Sequence, residues 1–480
     1  MTVGGRAMLR MIGFWQRLGT RFLPFADAAS PDLPLARLLR LSLFQVSVGM
    51  AAVLLTGTLN RVMILELGVP TSLVAVMVAI PVLAAPFRVL MGHRSDTYVS
   101  ALGWRRVPFL WLGTLMQFGG LAFMPFALLL LQSQTLGPEW AGPVAAAFAF
   151  LLTGIGMHMA QTAGLALATD LAAEETRPRV VALVYVMLLV GMILASLAFG
   201  LLLADFSAMR LIQVVQGAAV VTVLINVVAL WKQEPRRPQA TRAGREVQGF
   251  KDALAAYRQN PHMARFLIGV GLGSAAFSMQ DVLLEPYGGE ILGLSVSQTT
   301  LLTAVWAAGT LAGFALAGRL LLRGMNMHRL AACGALVGIF AFAAVIFSGP
   351  IGSAALFRFG TLAIGFGGGL FAVGTMLAAM DLADQTDAGF AIGAFSAVQA
   401  TAIGLGLAIG GITRDVVNML ALDGSLGAAL TTASTGYNVV YNIEIVLLFM
   451  SLAVLGPLAG KRFAGGRDGL RQFGLADLPG

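Results

Sequence analysis

Residues 180–203 read VVALVYVMLLVGMILASLAFGLLL, twenty-four positions in a row without a charged side chain. A helix lying on a soluble core would show a polar face, because its outer side meets water. This run has no such face. About 20 apolar residues in a helix cross the roughly 30 Å hydrocarbon layer of a bilayer, so the stretch predicts a transmembrane helix. Working outward, comparable runs occupy 41–62, 71–91, 107–131, 142–167 and 209–231 on either side of it. Beyond a polar stretch come 264–284, 296–320, 329–348, 353–379, 388–412 and 438–460. The composition agrees: 58% of the 480 residues are hydrophobic and only 11% are charged, where soluble domains carry about 25% charged residues. An all-α membrane protein with twelve spans in two sets of six is predicted.

The charges then orient the chain. All but four of the 31 Lys and Arg residues fall on one side of the predicted spans, the exceptions being Arg61, Arg210, Arg358 and Arg414. By the positive-inside rule both termini and the central loop are expected in the cytoplasm. The net charge of +8 is therefore a topology signal and calls for no nucleic-acid partner. Residues 1–40 form a basic amino end, 41–231 the first six-helix bundle, 232–262 a basic linker, 263–460 the second bundle and 461–480 a tail. In the amino end Met8, Met11, Ile12, Trp15, Leu18 and Phe22 recur at helical spacing opposite Arg10, Arg17 and Arg21. They describe either an amphipathic helix at the lipid surface or a basic tail that only obeys the charge rule. A second short amphipathic helix is expected from Gln248 to Arg258. The first span follows six arginines and precedes no small-residue cleavage pattern, so it is expected to insert without being cleaved. Cys333, the sole cysteine, excludes an intramolecular disulfide.

The two sets of six are related. An offset of 211 residues places Gly154-Ile155-Gly156 on Gly365-Phe366-Gly367, and Asp170-Leu171-Ala172 on Asp381-Leu382-Ala383. A second register sets Arg61-Val62-Met63 against Asp281-Val282-Leu283 and Gly92 against Gly318. Duplicated bundles are how many transporters are built, with the working cavity between the halves.

This arrangement resembles the major facilitator superfamily, whose mark between helices 2 and 3 is a Gly, an Asp four residues on and a basic pair. Here those are Gly92, Asp96, Arg105 and Arg106, with an insertion before Gly103. The resemblance implies that Asp96, Arg105 and Arg106 lock the halves together on the cytoplasmic side. A narrower resemblance covers nearly the whole chain. Phe22-Leu23-Pro24-Phe25-Ala26-Asp27-Ala28, Leu59-Asn60-Arg61-Val62-Met63 and above all Gln280-Asp281-Val282-Leu283-Leu284-Glu285-Pro286-Tyr287-Gly288-Gly289 resemble the PucC/LhaA, or bacteriochlorophyll delivery, family. That resemblance implies a multi-pass protein of the bacterial inner (intracytoplasmic) membrane that helps assemble light-harvesting antenna complexes. Its partners would be membrane lipid, antenna polypeptides and bacteriochlorophyll, the last bound as cargo.

Ionisable residues within spans are costly and stand as candidate sites. Arg61 and Asp281 take corresponding places at the outer ends of helices 1 and 7, where they would either pair as an outer gate or each reach the headgroup region. Gln280 lies beside them. Glu285 precedes Pro286 and Gly288-Gly289, where helix 7 is expected to end or unwind. Its carboxylate would meet a ligand at a cavity mouth or cap a surface turn. Asp170 and Asp381 mark the cytoplasmic ends of helices 4 and 10. Asp170 is expected to pair with its own loop, near Arg177 and Arg179, and the acids after Asp381 to seek a partner elsewhere. His158, midway along helix 4, is either a hydrogen-bonded packing residue or an axial ligand to a pigment magnesium. Opposite it in the repeat, the run Gly365–Gly369 would either admit a flat macrocycle or permit close helix packing. Glu444 is expected to reach the outer surface.

Phosphate-cradling, paired-His zinc and nucleophile-elbow motifs are absent, so no catalysis and no metal site are expected. Three functions stay open: antenna assembly with pigment or polypeptide binding, alternating-access transport of an amphipathic small molecule, and a scaffold that docks antenna helices.

Overall fold

A computed structural model describes residues 28–30, 33–84, 104–132, 138–234, 261–384 and 388–459. The amino-terminal helix, Gly92, Asp96, the linker helix and the carboxyl tail fall outside these residues. Eleven described helices are long and apolar enough to cross a membrane. They are α1 (Leu35–Glu66), α3 (Val107–Gln132), α4 (Ala141–Leu171), α5 (Arg177–Leu202), α6 (Ala208–Leu230), α7 (Met263–Glu290), α8 (Val296–Leu322), α9 (Met327–Ile351), α10 (Ala354–Asp384), α11 (Ala388–Leu422) and α12 (Ser434–Ala459). A shorter apolar helix, α2 (Thr71–Leu83), completes twelve; the rest of its expected span, from residue 85, lies outside the described residues.

Helical structure follows from the solvent: in lipid every backbone N–H and C=O must be satisfied within the segment. Short signals set the ends. Ser295 and Gln298 form a reciprocal capping box at the start of α8, Asn326 caps α9, and Gly352 closes α9 at φ 66°, where a Cβ would be strained. Leu115, Phe126, Leu201, Phe340 and Phe347 are all largely exposed. In water such a surface would aggregate; here it is the face offered to acyl chains.

Packing repeats between the halves. α1 packs on α5 and α6, α2 on α4, and α3 on α4 and α6; in the second half α7 packs on α11 and α12, α8 on α10, and α9 on α10 and α12. The halves meet through α2 against α11 and α5 against α8, two contacts that exchange under the same symmetry, and through α1 against α7 and α8. The repeated glycines explain the correspondence. A Cβ on Gly154 would strike Pro81 of α2, and one on Gly365 would lie 2.1 Å from the Trp306 carbonyl of α8. Gly156 and Gly367 likewise touch the backbones of α3 and α9. The Gly365–Gly369 run is thus consumed by close packing: Gly369 meets Thr310 of α8, and Gly368 lies against Phe277 of α7. It presents no bare face to a macrocycle. Inside the first bundle Ser47, Thr114, Gln117 and Asn226, all buried, join α1, α3 and α6 by hydrogen bonds of 2.8–3.0 Å.

Candidate functional site

The ten-residue string 280–289 is where the second half meets the first. α7 runs regularly to Met279, tightens through a 3₁₀ turn over Gln280–Val282 and resumes from Leu284 to Glu290. The interruption therefore comes before Glu285, not at Pro286 and the glycines. Pro286 sits in the first turn of the resumed helix, where its missing N–H costs nothing. Opposite this break α1 is itself irregular, with wide π turns at Val53–Thr58 and Val62–Glu66, a feature that gathers at functional positions.

Each side chain of the string has a defined place. Asn60 Nδ2 of α1 donates to the Val282 carbonyl at 2.9 Å, taking up an acceptor freed by the interruption. Glu285, 3% exposed, accepts from Thr303 Oγ1 at 2.7 Å and lies directly on Gly57 of α1, where a Cβ would collide with Oε1. Its Oε2 is buried without a partner. Glu285 is thus neither at a cavity mouth nor capping a surface turn; it is sealed between α1, α7 and α8. Tyr287 is the hub of an aromatic cluster, with Phe357, Tyr437 and Tyr441 at centroid distances of 5.4–5.6 Å. Gly288 fits beneath Phe357, and Gly289 lies under Leu65 and the Arg61 guanidinium.

The Arg61–Asp281 pair does not form, and neither residue simply reaches the headgroups. Arg61, 6% exposed, is bound to Glu66 Oε1 at 2.5 Å and reaches toward the Leu294 carbonyl at 3.5 Å. Asp281 accepts from the Nε2 of buried Gln280. The reason lies in the π turn over Val62–Glu66. Closing i to i+5, it brings residue 66 beneath residue 61, whereas an α-helix would aim the two apart.

Glu444 is the larger departure. It is fully buried, with Asp281 and the Gln280 backbone as its polar neighbours and no cation beside it among the described residues. On α12 it occupies the stripe Tyr437, Tyr441, Glu444, Leu448, Ser451 and Leu455, all buried and spaced by three or four residues. The helix face decides its exposure, so it does not reach the surface. An enclosed carboxylate without a cation is destabilising. Glu444→Leu is accordingly expected to raise the thermal midpoint of the purified protein, and a lowered midpoint would show that Glu444 is held by favourable contacts.

A second network was not read from the sequence. Arg414 of α11 binds Glu290 Oε2 at 2.6 Å and Asp415 Oδ1 at 3.0 Å, donates to Tyr437 Oη at 3.2 Å and lies 4.6 Å above that ring. Tyr437 in turn donates to Glu290 at 2.7 Å. Asp415 accepts from the Ser72 N–H at 2.7 Å, at the amino end of α2, where carboxylates are favoured by the unsatisfied N–H groups. This ties the second half to the first. An Arg-Asp dipeptide inside an otherwise apolar run was the available signal.

On the side expected to face the cytoplasm, Arg105 and Arg106 both bind Asp170, at 2.7 and 3.0 Å. Asp170 is therefore reached by the basic pair of the helix 2–3 connection, within the first half, instead of serving only its own loop. The Glu234 carboxylate, 127–129 residues away, accepts the backbone N–H groups of Arg105, Arg106 and Val107 at 2.7–3.1 Å and so caps α3. Asp381 is partly buried at the end of α10 and has partners of its own. His158 is partly buried in α4, and its carbonyl accepts from Thr162 at 2.8 Å. No group of three or more metal-ligating side chains occurs among the described residues.

Residues 58–463 match the family model described as PUCC protein. The chain is 56% identical over 98% of its length to a Rhodobacter capsulatus protein described as "Uncharacterized protein in puhA-bchM intergenic region", covering 99% of that protein. It is 55% identical over 84% of its length to "Protein PucC" of Rhodovulum sulfidophilum, covering 90% of that protein. Among solved structures, a bacterial homologue of the human lysosomal transporter Spinster, inward-facing and unoccupied, aligns with a TM-score of 0.65. That alignment has 15% identity over 93% of this chain and 98% of the other. The likeness supports a twelve-helix, major-facilitator-like fold.

Proposed function

The chain belongs to the PucC protein family, and on that premise we propose that it is an integral-membrane assembly factor for bacterial light-harvesting antenna complexes. It binds bacteriochlorophyll, the antenna polypeptides or both, in the inner membrane with both termini cytoplasmic, and performs no covalent chemistry. The observation that carries this reading is the family match, which runs through both bundles and includes the whole of the 280–289 string.

Mechanistically, α7 is the element best suited to respond to cargo. At its interruption Asn60 of the first half binds the Val282 carbonyl, and just beyond it Glu285, held by Thr303, lies on Gly57 of α1; discontinuous helices with polar groups near the repeat interface are where transporters of this construction bind and move. A second reading, alternating-access transport of an amphipathic molecule, is favoured by the α2–α11 and α5–α8 contacts between halves.

We propose that His158 would hold the magnesium of a bound pigment through its imidazole. If so, His158→Ala protein purified in mild detergent loses most of its near-infrared absorption while keeping the wild-type thermal midpoint. Unchanged pigment content would remove His158 from the role.

A further inference from the structure

At the end of the first bundle expected to face the cytoplasm, α1, α3 and α6 leave a cavity of about 590 Å³ lined by Arg37, Trp104, Trp111, Trp231 and Lys232, with Val107, Val227 and Leu230 between them. Its size falls in the range of small-ligand sites, roughly 300–1,000 Å³. Three of the six tryptophans of the chain converge here, and Trp231 is 60% exposed. Tryptophan concentrates at the headgroup level of a bilayer, where one side of the ring is wet and the other apolar.

The polar rim is constructed. Gln233, almost fully buried, accepts Arg37 Nε at 3.2 Å on its side chain and Arg37 Nη2 at 2.6 Å on its carbonyl. This fixes the guanidinium at the rim. Glu234 is occupied by the backbone N–H groups of Arg105, Arg106 and Val107 at the amino end of α3, so the acid on the rim is satisfied from the protein side. Lys232 is exposed and forms no ion pair with a described residue.

A separate observation concerns the Lys232 backbone. Its φ of 54° makes it the only non-glycine residue with positive φ among the described residues, whereas Gly68, Gly293, Gly324, Gly352, Gly424 and Gly427 take that conformation elsewhere. It follows α6 at the position where helices commonly place glycine. A side chain held at such a point, against the backbone's preference, points to a use for that side chain.

We propose that this cavity binds the headgroup of an anionic phospholipid from the adjoining leaflet, its phosphate between Lys232 and Arg37 and its glycerol end among Trp104, Trp111 and Trp231. Basic pockets between transmembrane helices on the cytoplasmic side suit such headgroups, and the charge complementarity selects them over zwitterionic lipid. The full chain, purified in detergent, is titrated with phosphatidylglycerol or phosphatidylcholine, and retained lipid is counted by native mass spectrometry. The wild type is expected to prefer phosphatidylglycerol, and both Lys232→Gln and Lys232→Gly to weaken its binding roughly fivefold while leaving phosphatidylcholine unchanged. Lys232→Gly should also raise the thermal midpoint, because glycine accepts positive φ freely; this separates loss of the ligand from loss of the fold. Equal retention of the two lipids by the wild type, a preference that survives both substitutions, or displacement of phosphatidylglycerol by inorganic phosphate alone would overturn the proposal.

Discussion

Replacing Gly365 with valine is expected to abolish accumulation of folded protein. A Cβ at this position would lie 2.1 Å from the Trp306 carbonyl oxygen, and its counterpart on the facing helix, Gly309, stands equally close to the Leu362 carbonyl. The obstacle on each side is backbone, which cannot rotate away as a side chain end can. α8 and α10 would have to separate, carrying the aromatic and glycine contacts of α7 and α9 with them. Overpacking typically costs about 1–3 kcal/mol and more when nothing yields, against a total stability of roughly 5–15 kcal/mol. Size-exclusion profiles of the detergent-extracted protein provide the readout. Gly217, whose added Cβ would meet nothing within 4 Å, is the control, and Gly217→Ala should elute as the wild type does. A monodisperse, thermally stable Gly365→Val protein would mean that the α8–α10 contact is wrong.

Replacing Arg414 with alanine is the second large effect. The change leaves Glu290 and Asp415 without their cation and removes the group lying over the Tyr437 ring. Breaking a fully buried pair costs about 3–5 kcal/mol; with the two acids 26% and 21% exposed, a loss near 2 kcal/mol is expected. Glu290→Gln in the Arg414→Ala background should recover part of it, because the uncompensated charge beside Tyr437 Oη is gone. Arg358→Ala, at an exposed position, should change stability by no more than about 0.5 kcal/mol. Thermal melts of the four proteins decide the matter. Equal losses at Arg414 and Arg358, or absence of any recovery, would show that the network is an ordinary surface cluster.

The spans, their grouping by six and the relation between halves were legible because they rest on long apolar runs and on repeated small residues, which the membrane makes nearly obligatory. Gly154 and Gly365 carried that relation correctly, since each meets the backbone or ring of the equivalent neighbouring helix. The site was less legible. Sequence spacing presumes a regular α-helix, and α1 is not one: the π turn after Arg61 redirects it to Glu66 and away from Asp281. Burial of Glu285 and Glu444 depends on which helix face meets a partner, and position along a span does not reveal that. The Arg414–Glu290–Tyr437 network joins residues more than a hundred positions apart, as does the capping of α3 by Glu234. Such pairings exist only once the helices are placed.

The proposed antenna-assembly role rests on one question of composition, whether the protein carries pigment or antenna polypeptides with it. Extraction in mild detergent from a phototrophically grown host, followed by a near-infrared absorption spectrum and identification of co-purifying small polypeptides, answers it directly. Bound bacteriochlorophyll, antenna polypeptides or both, retained through a second purification step, is the predicted result. A colourless protein free of antenna polypeptides would contradict it.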